Sequence, residues 1–165
     1  QRCLGFDTDV FIYDPFVDAN TISEKNCIKI DFEEGIQIAD FITIHMPLNE
    51  ETKNLINKNC FLKMKKEAIL VNTARGGIVN ENDLHWALKN KKIHAAGTDV
   101  FETEPPDDNN PLFQLDNILM SPHNAALTLE CRKRMAIELA ENIIFYLESD
   151  NKLNKGNIVN LQKLD

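Results

Sequence analysis

Three residues of this chain stand where chemistry is usually done: Arg75, Glu104 and His123. Each follows a short apolar run that reads as a strand, at 68–72, 95–100 and 117–120. Histidine is the usual proton donor and acceptor near neutral pH. A carboxylate beside it fixes its tautomer and favours its charged form. Arginine holds a carboxylate with two parallel hydrogen bonds from a planar fork, which lysine lacks. Only four of the 18 basic residues are arginine, namely Arg2, Arg75, Arg132 and Arg134, so lysine is the default cation here. Arg75 sits in the turn Asn72-Thr73-Ala74-Arg75-Gly76-Gly77, where the two glycines allow an abrupt change of direction. The set could take a proton from a hydroxyl while hydride leaves the same carbon for a nicotinamide. Each residue also has a plainer reading alone. Arg75 could be a surface arginine in a tight turn, Glu104 a solvated acid before Pro105-Pro106, and His123 a turn residue or cap after Ser121-Pro122.

These residues are 19 to 48 positions apart, so only a specific architecture brings them together. Strands are expected at 10–13, 41–44, 68–72, 95–100 and 117–120, and helices at 31–38, 57–66, 82–90 and 128–147. Asn57 and Asn80 are expected to cap the second and third helices. Phe61, Leu62 and Met64 would form the apolar side of one, and Leu84, Ala87 and Leu88 that of the other. Along 128–147, Met135, Leu139, Ile143 and Tyr146 fall at helical spacing, a stripe for a core or an interface. Residues 1–6 look like the tail of a helix. The alternation implies an α/β fold, a doubly wound parallel sheet with helices on both faces. Loops at the carboxyl ends of such strands converge, which lets distant residues share one cleft.

Asp14 follows the 10–13 strand and precedes Pro15. In a dinucleotide-binding sheet, an acid at the end of the second strand accepts hydrogen bonds from the adenosine ribose and repels the extra phosphate of NADP. An ordinary Asp-Pro turn is the alternative. His45 stands in a strand-end loop and could line a cofactor site, while His85 and His94 read as structural.

The bulk properties narrow the classes. A net charge of −8 and a pI near 5.0 argue against a nucleic-acid or anionic-membrane surface. The cysteines, Cys3, Cys27, Cys60 and Cys131, are widely separated and form no C-x-x-C pair. Neither a metal site nor a disulfide framework is expected, and a reducing cytoplasm fits. No apolar run of about 18 residues is present to span a membrane, and the opening residues do not read as a signal peptide.

Taken together, three motifs resemble the signatures of the D-isomer-specific 2-hydroxyacid dehydrogenases, a family that includes phosphoglycerate, glycerate and D-lactate dehydrogenases. They are 72–77, the run Asp99-Val100-Phe101-Glu102-Thr103-Glu104-Pro105, and Ser121-Pro122-His123. Tyr13-Asp14-Pro15 and His45-Met46-Pro47-Leu48, with Thr52, also match. The resemblance covers nearly the whole chain, in order. It implies a Rossmann-like NAD-binding domain and hydride transfer between NAD(H) and the C2 of a small 2-hydroxy or 2-keto acid. By resemblance, Arg75 binds the substrate carboxylate, His123 is the general acid/base and Glu104 is its partner. Asp14 would hold the ribose, Thr73, Ala74 and Asp99 would flank the nicotinamide, and His45, Pro47 and Thr52 would line the cofactor cleft. A homodimer is a family expectation. The alternative is an NAD(H)-sensing regulatory or corepressor-like binding protein on the same fold, which would not need the Arg75, Glu104 and His123 set.

The family's G-x-G-x-x-G loop should lie about 20 residues before Asp14. Only 13 residues precede it here, and none of the six glycines falls in that pattern. The first, central strand of the 3-2-1-4-5-6 order is missing too. The expectation is therefore an incomplete domain. Residues 1–126 would be a partial dinucleotide-binding domain, 127–149 a long helix leading out, and 150–165 a tail returning toward a substrate domain mostly absent from the chain. Without the central strand, the 10–13 and 41–45 strands are expected to lose their neighbour on the 68–72 side. The piece alone is expected to be poorly stable and inactive.

Overall fold

The computed structural model describes residues 2–148 of the 165. Two units divide at His123, one of residues 1–123 and one of residues 124–165. The tail expected over 150–165 lies outside the described residues.

The first unit alternates strand and helix. Its elements are β1 (Phe11–Ile12), α1 (Ala19–Ser23), β2 (Ile28–Lys29), α2 (Phe32–Ile38), β3 (Phe41–Ile44), α3 (Lys58–Lys63), β4 (Ile69–Asn72), α4 (Glu81–Lys89), β5 (Ala95–Thr98) and β6 (Ile118–Met120). The strands β3-β4-β5-β6 form one all-parallel sheet, as the alternation predicts. β1 and β2 form a separate two-stranded parallel sheet. The break between β1 and β3 falls where the 3-2-1-4-5-6 order has its first strand.

One expectation about that break is corrected. β3 keeps its neighbour on the β4 side, pairing Phe41 to Ile69 through Ile44 to Asn72. A crossover through α3 lays β4 directly beside β3, so this pair does not need the central strand. The edge of β3 away from β4 is the one without a strand partner among the described residues.

Helix placement follows the caps. The Asn80 side chain accepts from Asp83 N at 3.0 Å, and Asn57 accepts from Asn59 N at 3.0 Å. Each satisfies a donor that the first turn leaves open. On α4, Glu81 and Asp83 lie at the positive end and Lys89 at the negative end, which favours both. Leu84, Ala87 and Leu88 are buried, and a fully buried leucine stabilises by about 2 kcal/mol. On α3 the buried residues are Cys60 and Phe61, with Met64 buried at its extended C-cap, whereas Leu62 is 56% exposed. Cys60 and Phe61 share the buried face and Leu62 turns away from it, so the expected face is corrected by one residue. Together with Leu70, Ile78, Ile93, Ala96, Leu112 and Ile118, these side chains form one buried apolar core.

Three short elements went unread in the sequence: α1, β2 and a 3-10 helix over Pro111–Gln114. α1 buries one residue, Ile22, so it has no periodic face to recognise. β2 is two residues long and exposed.

In the second unit, α5 (Leu129–Glu148) forms as expected. Met135, Leu139, Ile143 and Tyr146 are exposed along it, so among the described residues the stripe is not part of a core.

Candidate active site

Register brings the site together. Asn72 pairs with Thr98, and Thr98 with Met120, so β4, β5 and β6 end level. The ladder continues one step further, with Asp99 N donating to Asn72 O and Ser121 N donating to Thr98 O, both at 3.0 Å. Arg75, Glu104 and His123 therefore leave one edge from three adjacent strands.

The β4 loop is shaped by Asn72, which is buried at 5% exposure. Its Nδ2 donates to Arg75 O at 3.0 Å, and its Oδ1 accepts from Ala74 N at 3.1 Å. Both ends of a buried amide are thus satisfied by the turn it shapes. Arg75 itself is exposed, with Nη1 donating to Ala74 O at 2.6 Å. Gly76 follows because no side chain fits: a Cβ there would lie 1.8 Å from Phe101 O. Gly77 has φ +78, in the left-handed region that favours glycine.

In the β5 loop, Glu104 Oε1 accepts from Phe101 N at 3.0 Å. Its Oε2 lies 2.8 Å from His123 Nδ1. The hydrogen bond from His123 is the main reason the Glu104 carboxyl is held below the usual carboxylate range. The Phe101 N–H adds to it, partial burial opposes it, and the charges of His123 and Arg75 favour it. An ionised carboxylate only accepts, so Nδ1 carries the proton in this pair. That leaves Nε2 as the nitrogen free to serve a substrate. His123 reaches this position from a backbone φ of +51, uncommon outside glycine but several-fold enriched for histidine.

Asp99 is the buried acid of the edge, 3% exposed, and accepts a 2.5 Å hydrogen bond from Ser121 Oγ. Ser121 thereby holds a carboxylate between the Arg75 and His123 loops. Thr73 and Ala74 follow the end of β4.

Other expected residues lie on neighbouring elements. His45 follows β3, with Nε2 2.9 Å from Thr43 Oγ1. Thr52 Oγ1 donates to Pro47 O at 2.7 Å and accepts from Asn49 N at 2.8 Å. This hydroxyl closes the Pro47 loop. Asp14, past β1 in the two-stranded sheet, accepts from Phe16 N at 2.8 Å through Oδ1, which fixes its carboxylate.

These acceptors fit two parts of a dinucleotide. The fixed Asp14 carboxylate suits a ribose diol, and the buried Asp99 carboxylate suits the N–H of a carboxamide. The glycine pattern that cradles a pyrophosphate does not occur in the 165 residues. Among the described residues no cluster of His, Cys, Asp and Glu could hold a metal ion, and no helix is long and apolar enough to cross a membrane.

Asn72 and Ser121 stand within the sequence motifs without a role expected of either. A polar side chain at the end of an apolar strand is the one signal that marks Asn72.

Comparison with known proteins places this geometry. Residues 1–125 match the family described as D-isomer specific 2-hydroxyacid dehydrogenase, NAD binding domain. D-3-phosphoglycerate dehydrogenase of Archaeoglobus fulgidus is 40% identical over 165 residues, covering 100% of this chain and 31% of that protein. Hydroxypyruvate reductase of Thermotoga maritima is 40% identical over 145 residues, 87% of this chain and 46% of that protein. In the solved structures, D-lactate dehydrogenase from Aquifex aeolicus, complexed with NAD and lactic acid, aligns with a TM-score of 0.84 at 30% identity. That alignment covers 94% of this chain and 51% of the other. The chain thus spans about a third to a half of the relatives it matches. Motifs, parallel topology and matched residues lead to one assignment: the chain belongs to the D-isomer-specific 2-hydroxyacid dehydrogenase family and matches its NAD-binding domain over residues 1–125.

Proposed function

We propose that the full-length protein is an NAD-dependent oxidoreductase acting at C2 of a small 2-hydroxy or 2-keto acid of the D-isomer type. One observation carries the reading. His123 Nδ1 is held 2.8 Å from Glu104 Oε2, and Arg75 is near enough for its charge to stabilise the same carboxylate. A proton-transfer group, its anchor and an anion-binding fork thus share one sheet edge.

In the reductive direction, His123 Nε2 donates a proton to the substrate's C2 oxygen. Glu104 holds the imidazole in the matching tautomer and stabilises its charged form. Arg75 binds the substrate carboxylate and orients the carbonyl for attack. NADH, when bound, supplies the hydride. Asp14 would orient the ribose and disfavour a 2′-phosphate, while Asp99, held by Ser121, would accept from the carboxamide with Thr73 and Ala74 flanking the nicotinamide. His45, Pro47 and Thr52 would line the rest of the cofactor cleft.

The test is a screen of the full-length protein against 2-keto acids with NADH and NADPH. Turnover of at least one 2-keto acid with NADH is expected. No turnover of any 2-keto acid, with NADH still binding, contradicts the enzymatic reading.

A further inference from the structure

The β4 and β5 loops are tied together by two acids that lie outside the Arg75, Glu104 and His123 set. Glu81 N, at the start of α4, donates to Glu102 Oε1 at 3.0 Å. In return, Glu102 N donates to Glu81 Oε1 at 2.5 Å. Glu81 Oε2 accepts from Asn110 Nδ2 at 3.1 Å. Asn110 also caps the 3-10 helix after the β5 loop, accepting from Leu112 N at 3.0 Å.

The exchange lies close to the reacting groups. Glu102 is two residues before Glu104, and the Phe101–Glu102 peptide is the one that packs on Gly76, next to Arg75. Phe101 N is itself held by Glu104. A connected path therefore runs from Arg75 through Gly76 and the 101–102 peptide to Glu104 and His123. Two like charges near each other are ordinarily unfavourable. Here each carboxylate accepts a backbone N–H, and the amino-terminal end of α4 favours negative charge.

We propose that Glu81 and Glu102 are positioning residues. Their reciprocal carboxylate-to-backbone clasp sets the spacing between the substrate-binding fork of Arg75 and the Glu104–His123 pair. The proposal rests on the function assigned to those three residues above. The clasp needs an oxygen acceptor at each position but not a negative charge. Glutamine supplies that acceptor and alanine does not.

The experiment compares Glu102→Ala, Glu102→Gln, Glu104→Gln and the Glu102→Ala/Glu104→Gln double variant in the full-length enzyme. The readouts are kcat on a 2-keto acid, NADH Kd and Tm. Glu102→Ala is expected to lower kcat about tenfold or more, because small misplacements at a reacting centre are costly, with NADH Kd within about twofold. Glu102→Gln is expected to keep kcat near the parent value. The double variant is expected to be about as slow as Glu104→Gln alone, since the clasp acts through Glu104. Should Glu102→Ala fail to fold, Glu81→Ala removes the other half and must show the same loss of kcat. An unchanged kcat in the alanine variant, a glutamine variant as slow as alanine, or additive losses in the double variant overturn the clasp. A normal kcat for Glu104→Gln instead sinks the underlying functional reading, and the clasp with it.

Discussion

His123 Nδ1 is 2.8 Å from Glu104 Oε2, and His123 holds that contact from a left-handed backbone at φ +51. Such a conformation costs a non-glycine residue about 1–3 kcal/mol and persists only where neighbours enforce it. The hydrogen bond fixes both the tautomer and the direction of the ring. It also makes the site sensitive to the charge on Glu104.

Replacing Glu104 by Gln removes that charge while keeping the shape. The ring then loses its anionic anchor, and kcat on a 2-keto acid is expected to fall about tenfold or more with NADH Kd near the parent value. The carboxyl of Glu104 is lowered by the pair. The pair's contribution to stability is therefore fully present above the ordinary carboxylate range and is lost as pH falls through the lowered value. The Tm difference between parent and Glu104→Gln should shrink on acidification over that interval. A Tm difference that does not change with pH counts against the pairing.

Arg75→Lys keeps one positive charge and loses the fork. kcat/KM for the keto acid is expected to fall about 100-fold, with NADH Kd within about twofold, because only the substrate needs two parallel hydrogen bonds. Steady-state kinetics and a fluorescence titration of NADH separate the two. Normal kcat and KM would remove Arg75 from the substrate.

At Gly76 the backbone of Phe101 leaves no room for a methyl, with 1.8 Å to the carbonyl oxygen. Gly76→Ala should destabilise the protein by about 3 kcal/mol, since neither loop can yield without breaking the other's hydrogen bonds. Urea unfolding measures it. A loss below about 0.5 kcal/mol, the ordinary range for surface changes, means the loops are not packed as described.

The role proposed for Asp14 is to set cofactor choice. Asp14→Ser should raise kcat/KM with NADPH and lower it with NADH, narrowing the preference by about tenfold or more as repulsion of the 2′-phosphate is lost. An unchanged ratio would make Asp14 an ordinary turn residue, fixed by its hydrogen bond to Phe16 N.

The sheet from β3 to β6 was legible because apolar runs near 41, 69, 95 and 118 alternate with amphipathic helices capped by Asn57 and Asn80. That Arg75, Glu104 and His123 leave one edge was legible for the same reason, since parallel strands of similar length end level. What joins the loops was not legible. The Glu81–Glu102 exchange pairs side chains with backbone across 21 residues and leaves no periodic trace. Asn72 and Ser121 are short polar residues whose partners exist only after folding. The apolar stripe of α5 read equally well as core or interface, and its exposure removes the first of these among the described residues.

Proton transfer by His123 is tested by a single-turnover measurement of NADH oxidation by a 2-keto acid in full-length His123→Asn. A loss of about 100-fold or more in the rate of the chemical step is expected, the usual scale for removing a general acid. NADH Kd should stay near the parent value. A chemical step within a few-fold of the parent would contradict the account.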